Sequence, residues 1–404
     1  MKRRAMTILL CALMGSCDPR LPTEPDLFVD FEATDASTSP LSAAGKSLMN
    51  GVYEVVRGSG FLGNPIVGKW IGNRWCLYAQ HDVVFSVCAG GSLGDSIELR
   101  GYVRSVRSGS GSRLRMSVSS ADGAREVIAG VSPVFLRIQG ETEDRREIEL
   151  RRVRGADTAH FDVLAHRCGG RNSDRLGISE NSIPMITFAA TLGATGVELD
   201  VKRTRDNKLI VFHDDTFSPR TVQGAYLLGR VEAFDLEQIV SLGKLIHGEQ
   251  IPTLSQALTA VIDDTELSLV WLDIKDPRAV PQVVQIQNAM MAYAAAKQRP
   301  GLSILLGIPS QEVLNAYMPY KDSADALVEL EAGTALSLPR CRVWAPTWTR
   351  AITPADVDAM HAQNRKVITW TVDLRESIVN YLGRVDGILS NYPSLVSAIH
   401  DCSD

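Results

Sequence analysis

Thr195-Gly196-Val197-Glu198-Leu199-Asp200-Val201 is an apolar run interrupted by two acids two residues apart. In an extended strand successive side chains alternate between faces, so Glu198 and Asp200 share one face. An apolar strand does not bury two like charges side by side without a cation between them, because each ionised carboxylate is expensive to desolvate. One hard divalent metal ion, Mg2+ or Ca2+, is the natural partner. A second stretch is built the same way. Leu269-Val270-Trp271-Leu272-Asp273-Ile274-Lys275 places Asp273 and Lys275 on one face, the first a third oxygen ligand and the second a positive charge for an anion. Either pair alone also suits a salt-bridged barrel interior.

Outward from these strands, residues 155–404 alternate apolar strand-like runs with stretches of helical spacing, the pattern of parallel β/α units. Candidate strands end at His166, Val201, His213 and Lys275, near Gly307 and Ala345, and at Thr371 and Ser390. Helical spacing covers 182–192, 254–262, 282–297 and 354–364. About eight units fit an α/β fold of the (β/α)8 TIM type, the count being open by one strand. Active sites of such barrels gather at the C-terminal ends of the strands. His166 closes Val163-Leu164-Ala165, and His213 closes Leu209-Ile210-Val211-Phe212, which makes them an acid and base couple suited to proton transfer near neutrality. Arg167, with its planar fork, suits a phosphoryl oxygen.

These residues stand in a familiar order. Ala165-His166-Arg167, Glu180-Asn181-Ser182, Gly196 to Val201, Val211-Phe212-His213-Asp214, Arg220-Thr221, Ile251-Pro252-Thr253-Leu254, Asp273-Ile274-Lys275, Thr369-Trp370-Thr371-Val372 and Asp386 to Pro393 together resemble the glycerophosphodiester phosphodiesterases, within the phospholipase-C-like barrels. The resemblance runs from about Phe161 to Ser397 and rests on the ordered set rather than on any one motif. It implies His166 and His213 as general acid and base, Arg167 and Lys275 as phosphate-binding cations, and Glu198, Asp200 and Asp273 as metal ligands. It also implies Trp370 as an aromatic lining the substrate end, and leaves the role of Glu180 open. Three departures stand out. The loop from His166 to Glu180 is longer than usual and holds Cys168-Gly169-Gly170, Asp273 replaces the common Glu, and Ser390-Asn391 replaces Thr-Asp without a catalytic consequence that the sequence names. The implied activity is metal-assisted hydrolysis of glycerophosphodiesters to glycerol 3-phosphate and an alcohol, with the neighbouring glycerol hydroxyl a candidate nucleophile. Alternatives are a phospholipase acting on intact or lysolipid, and a non-catalytic surface lipoprotein whose β domain binds a partner.

The N-terminal part reads differently. Lys2-Arg3-Arg4 before the apolar run Ala5 to Met14 is a secretory signal, too short to span a bilayer as a mature helix. Leu13-Met14-Gly15-Ser16-Cys17 resembles a lipoprotein cleavage box, so residues 1–17 are expected to be the signal, with Cys17 lipidated on a bacterial envelope or periplasmic membrane; simple cleavage and release is the other reading. Residues 18–47, rich in Pro, Ser, Thr, Asp and Ala, read as a tether. From 48 to 154, short alternating runs punctuated by Gly90-Gly91-Ser92 and 108–112 predict an all-β domain, sandwich or small barrel, with no readable partner. Cys76 and Cys88, in neighbouring strand-like segments, are either bridged or two buried thiols. The chain has 404 residues, 45% of them hydrophobic, and a net charge of -5, with no basic run beyond the first residues, which disfavours nucleic acid as a partner.

Overall fold

Period-two alternation between Gly51 and Gly155 folds into eight antiparallel strands, β1 (Gly51–Arg57), β2 (Ile66–Ile71), β3 (Arg74–Ala79), β4 (Val84–Leu93), β5 (Ser96–Ser105), β6 (Gly111–Val118), β7 (Arg137–Thr142) and β8 (Glu147–Gly155). In this computed structural model, which describes residues 38–156, 160–224 and 226–403, the eight pair in chain order, and β1 meets β8 to close a barrel. The all-β expectation thus resolves to a barrel rather than a sandwich. Trp75, Leu77, Cys88, Ile97, Leu99, Leu114, Met116, Ile138, Ile148 and Leu150 fill its interior. The helix Ala43–Met49, N-capped by Ser42, contributes Met49 to this core, and Leu41 just before the cap is buried in it as well. The stretch read as tether, 18–47, is therefore structured at its C-terminal end, where Leu41 is buried against the barrel and the helix begins at Ala43. Cys17 and the signal lie outside the described residues.

Cys76 and Cys88 are not bridged. Cys88 pairs with Trp75, and Cys76 with Val87, so the two cysteines sit one register step apart and their side chains point to opposite faces. Cys88 faces the barrel interior.

The second unit of architecture is a parallel barrel. Its strands are β9 (Asp162–Ala165), β10 (Gly196–Arg203), β16 (Leu269–Ile274), β17 (Ser303–Ile308), β18 (Ala326–Val328), β19 (Cys341–Trp344), β20 (Lys366–Thr369) and β21 (Gly387–Ser390), and pairing of β9 with both β21 and β10 closes the ring. Between β10 and β16 come β11 (Leu209–Val211) and four two-residue strands, β12 (Thr216–Phe217), β13 (Val222–Gln223), β14 (Gly229–Arg230) and β15 (Lys244–Leu245). These cover a small apolar cluster of Phe212, Phe217, Leu227, Ile239 and Leu245.

The barrel count corrects the strand assignment twice. The run ending at His213 is not a barrel strand, since β11 pairs antiparallel with β10 through Val201–Val211 and Arg203–Leu209. Only 204–208 separate the two, far too few for the crossover a parallel neighbour needs, and Asn207 takes the left-handed turn conformation. The barrel strand that sequence reading missed is β18, three residues among polar neighbours. One error offset the other in the total.

Leu164, Leu269, Trp271, Leu305, Leu327, Val343, Ile368 and Leu389 fill the lower barrel, with Trp370 packed on them. The C-terminal helix Pro393–Cys402 is buried along nearly its whole length because it lies between the parallel barrel and β1 to β4. Lys69 Nζ reaches Asp401 Oδ2 at 2.5 Å, and Phe85 meets Phe188 edge-on across the same seam. No described helix is long and apolar enough to cross a membrane.

Candidate active site

Alternation along β10 turns Glu198 and Asp200 into the barrel, and in-register pairing with β16 sets Asp273 beside Asp200. One carboxylate oxygen from each of the three lies within 4.8 Å of the others. Lys275 Nζ bridges Asp200 at 3.0 Å and Asp273 at 3.1 Å. Two positive-φ residues shape the rim. Arg167 turns its backbone N–H onto Glu198 Oε2 at 2.8 Å, and Asn181 brackets Asp200, donating from Nδ2 to Oδ2 at 2.8 Å and accepting the Asp200 N–H at 3.3 Å. Glu198 Oε1 and Asp273 Oδ1 remain buried without a hydrogen-bond partner. Buried carboxylate oxygens without partners are costly, and oxygens of this type in this grouping fit a hard divalent cation.

The electrostatics follow from burial and crowding. Burial, then the charges of Asp200 and Asp273, push the Glu198 carboxyl well above its ordinary range. Burial also raises Asp273, with Lys275 opposing and Asp200 adding to the rise. Burial acts to raise Asp200 too, but Lys275, His213 and the Asn181 hydrogen bond together outweigh it, and its carboxyl is held low. Lys275 is the mirror case, raised by its two aspartates despite partial burial.

The two histidines are oriented by different means. Asn391 Nδ2 donates to Asp373 Oδ2 at 2.6 Å, which leaves Oδ1 to accept from His166 Nδ1 at 2.8 Å. His166 Nε2 then faces Glu198 Oε2 at 3.9 Å. Burial, aided by Arg167, pulls the His166 pKa down to about 4 against the Asn391 bond, so the ring is neutral near pH 7. His213 receives Arg167 Nη2 on Nε2 at 2.8 Å, and since guanidinium only donates, Nδ1 carries the proton donated to Asp214 Oδ1 at 2.8 Å. Arg220 in turn binds both Asp214 oxygens.

All the residues singled out in the sequence are thus brought to one end of the barrel. His166, Arg167, Glu198, Asp200, His213, Asp273 and Lys275 form one connected cluster. Trp370 stands at the end of β20 with its Nε1 donating to the Ala345 carbonyl and its ring edge-on to Trp271. Glu180 clamps Arg167 Nη1 at 3.1 Å and exchanges hydrogen bonds with Asn172, which gives the residue left open above a positioning contact. Asn391, for whose place in Ser390-Asn391 the sequence named no consequence, is the hydrogen-bond partner of His166.

Sequence reasoning gave no role to Asn181, Asp214 or Arg220, although all three lie in the motifs that carry the resemblance. Glu329 it missed altogether. It follows β18, its Oε1 is buried without a partner, and burial, then the charge of Asp273, raises its carboxyl well above the ordinary range. Cys168 lies beneath the site, its Sγ 3.7 Å from the Glu198 carbonyl, and burial followed by the charges of Glu198 and Asp200 raises the thiol. A cleft of about 360 Å³, lined by Lys202, Arg203, Asp215, Arg230 and Arg278 among others, opens beside Lys275.

A sequence profile of the glycerophosphoryl diester phosphodiesterase family matches residues 166–299. A protein named probable glycerophosphodiester phosphodiesterase 2, from Mycobacterium tuberculosis, is 30% identical over 264 residues, covering 60% of this chain and 94% of that protein. A glycerophosphodiester phosphodiesterase of Caldanaerobacter subterraneus is 27% identical over 255 residues, or 57% of this chain and 94% of its own length. Among solved structures, an Oleispira antarctica phosphodiesterase in complex with the product sn-glycerol-3-phosphate is similar with a TM-score of 0.46 and 21% identity, over 60% of this chain and 97% of that one. The chain belongs to the glycerophosphodiester phosphodiesterase family and is an enzyme of that class.

Proposed function

We propose that this enzyme hydrolyses small glycerophosphodiesters to glycerol 3-phosphate and an alcohol, in a metal-dependent reaction with two histidines as acid and base. The carrying observation is the cluster itself: three carboxylates within 4.8 Å, two of their buried oxygens without partners, and two histidines held in defined tautomers at their edge. A divalent cation held by Glu198, Asp200 and Asp273 would supply Lewis-acid polarisation of a phosphoryl oxygen. Arg167 and Lys275 bind the other phosphoryl oxygens and offset the charge that grows on them.

His166, neutral and with Nε2 facing the cluster, accepts the proton of the attacking glycerol hydroxyl. The new O–P bond forms as the bond to the leaving alcohol breaks. Once Arg167 has turned from Nε2 to the phosphate, that nitrogen of His213 is free to take a proton from solvent, and His213, backed at Nδ1 by the Asp214 carboxylate, gives this proton to the leaving alcohol. In the second half, His213 takes a proton from water as water attacks the cyclic phosphate, and His166 returns its proton to the departing ring oxygen, so both histidines end as they began. Glu329, near Asp273, offers its unpartnered oxygen to a substrate hydroxyl.

The test is glycerol 3-phosphate release from glycerophosphocholine with and without a chelator, followed by metal titration. Chelator-insensitive turnover would overturn the metal role. His213→Ala is expected to lower kcat by about 100- to 10,000-fold, and retained activity removes it from the pair. The same proposal places the enzyme at the cell envelope through a lipid on Cys17, with the leader of residues 1–17 as its support. Cys17→Ser should release the protein from the membrane fraction, and an unchanged membrane association overturns the anchor.

A further inference from the structure

The loop from Cys168 to Ser179 has to hold Glu180 against Arg167, and it is steadied from outside the parallel barrel. Arg104, near the end of β5, is 2% exposed and donates from its guanidinium to the Arg175 carbonyl. Arg175 Nη1 returns a hydrogen bond to the Ser108 carbonyl at 3.1 Å. Gly109, at φ +71°, lies so close to the stem of Arg175 that a Cβ there would stand 2.7 Å from its Cδ. From Arg175 the contacts run inward. Asp174 accepts from the Arg171 N–H at 2.8 Å, the Asn172 N–H donates to Glu180 at 2.8 Å, Glu180 holds Arg167 at 3.1 Å, and Arg167 reaches His213 at 2.8 Å.

A second line of contact ends at the other histidine. Arg107 of the antiparallel barrel stacks over the Tyr392 ring at 5.7 Å, and Arg171 does so at 5.9 Å while donating to the Tyr392 hydroxyl. Tyr392 adjoins Asn391, the partner of His166. Gln80, after β3, accepts from Arg375 at 3.1 Å, two residues beyond the Asp373 that fixes Asn391. One end of the antiparallel barrel therefore touches three of the segments that orient the catalytic groups. The two curated relatives spend 94% of their length on 57% and 60% of this chain, so the remainder has no counterpart in them.

We propose that the antiparallel barrel is a positioning element for the phosphodiester site. Arg104, through Arg175, Asn172 and Glu180, holds the Arg167 guanidinium within reach of both His213 and the phosphate, and Arg107, through Tyr392, steadies Asn391 at His166. Moving the Arg175 carbonyl away would strip an acceptor from a buried guanidinium, which costs free energy and so holds that carbonyl, and with it the loop, in place. Displacements on the order of 1 Å at a reacting group cost on the order of 100-fold in rate, which is the scale of control such a brace exerts. The proposal rests on the phosphodiesterase reading, and the wild-type assay tests that reading separately.

The experiment compares the full chain with Arg104→Ala, Arg104→Lys, Gly109→Ala and Arg175→Ala, and with Val55→Ala, a control in the antiparallel core. kcat and KM for glycerophosphocholine are measured beside melting temperature. Expected is a fall in kcat of about 10- to 100-fold for Arg104→Ala, Gly109→Ala and Arg175→Ala with KM changed by less than about three-fold, and recovery of most of kcat in Arg104→Lys. Arg175→Ala keeps the carbonyl that Arg104 holds and removes the side-chain bond to Ser108, while Gly109→Ala presses on the Arg175 stem. The two together read the outer contact of the brace even where Arg104→Ala does not fold, and Arg175→Ala, at an exposed position, is expected to keep the wild-type melting temperature. Wild-type kcat in Arg175→Ala and Gly109→Ala overturns the proposal, as does a loss in Arg104→Ala that Val55→Ala matches at equal melting temperature. A wild-type enzyme inactive on glycerophosphodiesters overturns the function and not the brace, because unaltered hydrogen exchange of the 168–180 loop in Arg175→Ala would still be needed to dismiss the latter.

Discussion

Replacing Glu198 by Gln is expected to make the metal-free protein more stable while destroying its response to metal. Two unit charges 4.8 Å apart repel by about 3 kcal/mol at an effective dielectric constant of about 20. Glu198 faces two such neighbours, and the fold answers by raising its pKa, so the carboxyl holds a proton that it would release in the unfolded chain. The sign follows from linkage. A carboxyl raised in the fold contributes no penalty below its ordinary value near 4.5, and the penalty grows as pH rises from there towards the raised value. At pH 7 it amounts to at most about 3 kcal/mol, since each pH unit carries about 1.4 kcal/mol.

Glutamine keeps an acceptor for the Arg167 N–H and turns its amide donors towards the aspartates, so the geometry survives the change. In the presence of chelator, Glu198→Gln should therefore melt several degrees above wild type at pH 7 to 8, at about 2–4 °C per kcal/mol for a domain of this size, and should match wild type near pH 4.5. Added Mg2+ or Ca2+ should raise the wild-type melting temperature, by the equivalent of about 2.7 kcal/mol at 100 times Kd, and leave the variant unmoved. Turnover should fall by about 100-fold or more. Calorimetric melting across pH with and without metal reads all of this. A variant less stable than wild type at pH 8 in chelator, or one that still gains stability from metal, would refute the reasoning.

Metal binding to wild type should release protons, because the cation takes Glu198 as carboxylate; titrations in buffers of different ionisation enthalpy measure the number, and zero release counts against Glu198 as a ligand. Asn391→Asp should be destabilising by about 1–3 kcal/mol despite restoring the residue common in the family, because the Asn391 amide that donates to Asp373 at 2.6 Å would be replaced by a second carboxylate; chemical denaturation checks it, and unchanged stability would show that Asp373 is not the constraint. His166 stays neutral in the fold down to about pH 4 while the unfolded chain takes up a proton near 6.5. The unfolded state thus binds more protons between those values, and the fold loses about 3 kcal/mol as pH falls through the window. His166→Gln should flatten that part of the stability profile, measured by urea titration at pH 7 and pH 4.5, and an identical profile in both proteins would contradict it.

Much of the site was legible because its logic is local. The period of two that puts Glu198 with Asp200, and Asp273 with Lys275, depends only on each strand's own backbone, and the alternation of strand and helix spacing after Gly155 is likewise a property of neighbouring residues. The same locality explains the mistakes. Leu209 to Val211 has the composition of a barrel strand, and only its pairing shows that it turns back on β10; Ala326 to Val328 is too short to signal itself, and only closure of the ring requires it. Cys76 and Cys88 looked bridgeable until register put them on opposite faces.

What tertiary structure alone decided is how the reactive groups are held. His166 and its partner Asn391 are 225 residues apart in sequence, Arg167 and His213 are 46 apart, and no periodicity links them. Glu329 acquires meaning only because β18 carries it near Asp273, and Arg104 only because the antiparallel barrel sets it under the Arg175 carbonyl. Which side chains could do chemistry, and which face of its strand each occupies, follow from residue identity and bonding geometry along the chain. Which of them meet, in what tautomer and braced by what, waited on closure of two barrels, because hydrogen bonds between distant segments exist only once burial has brought those segments together.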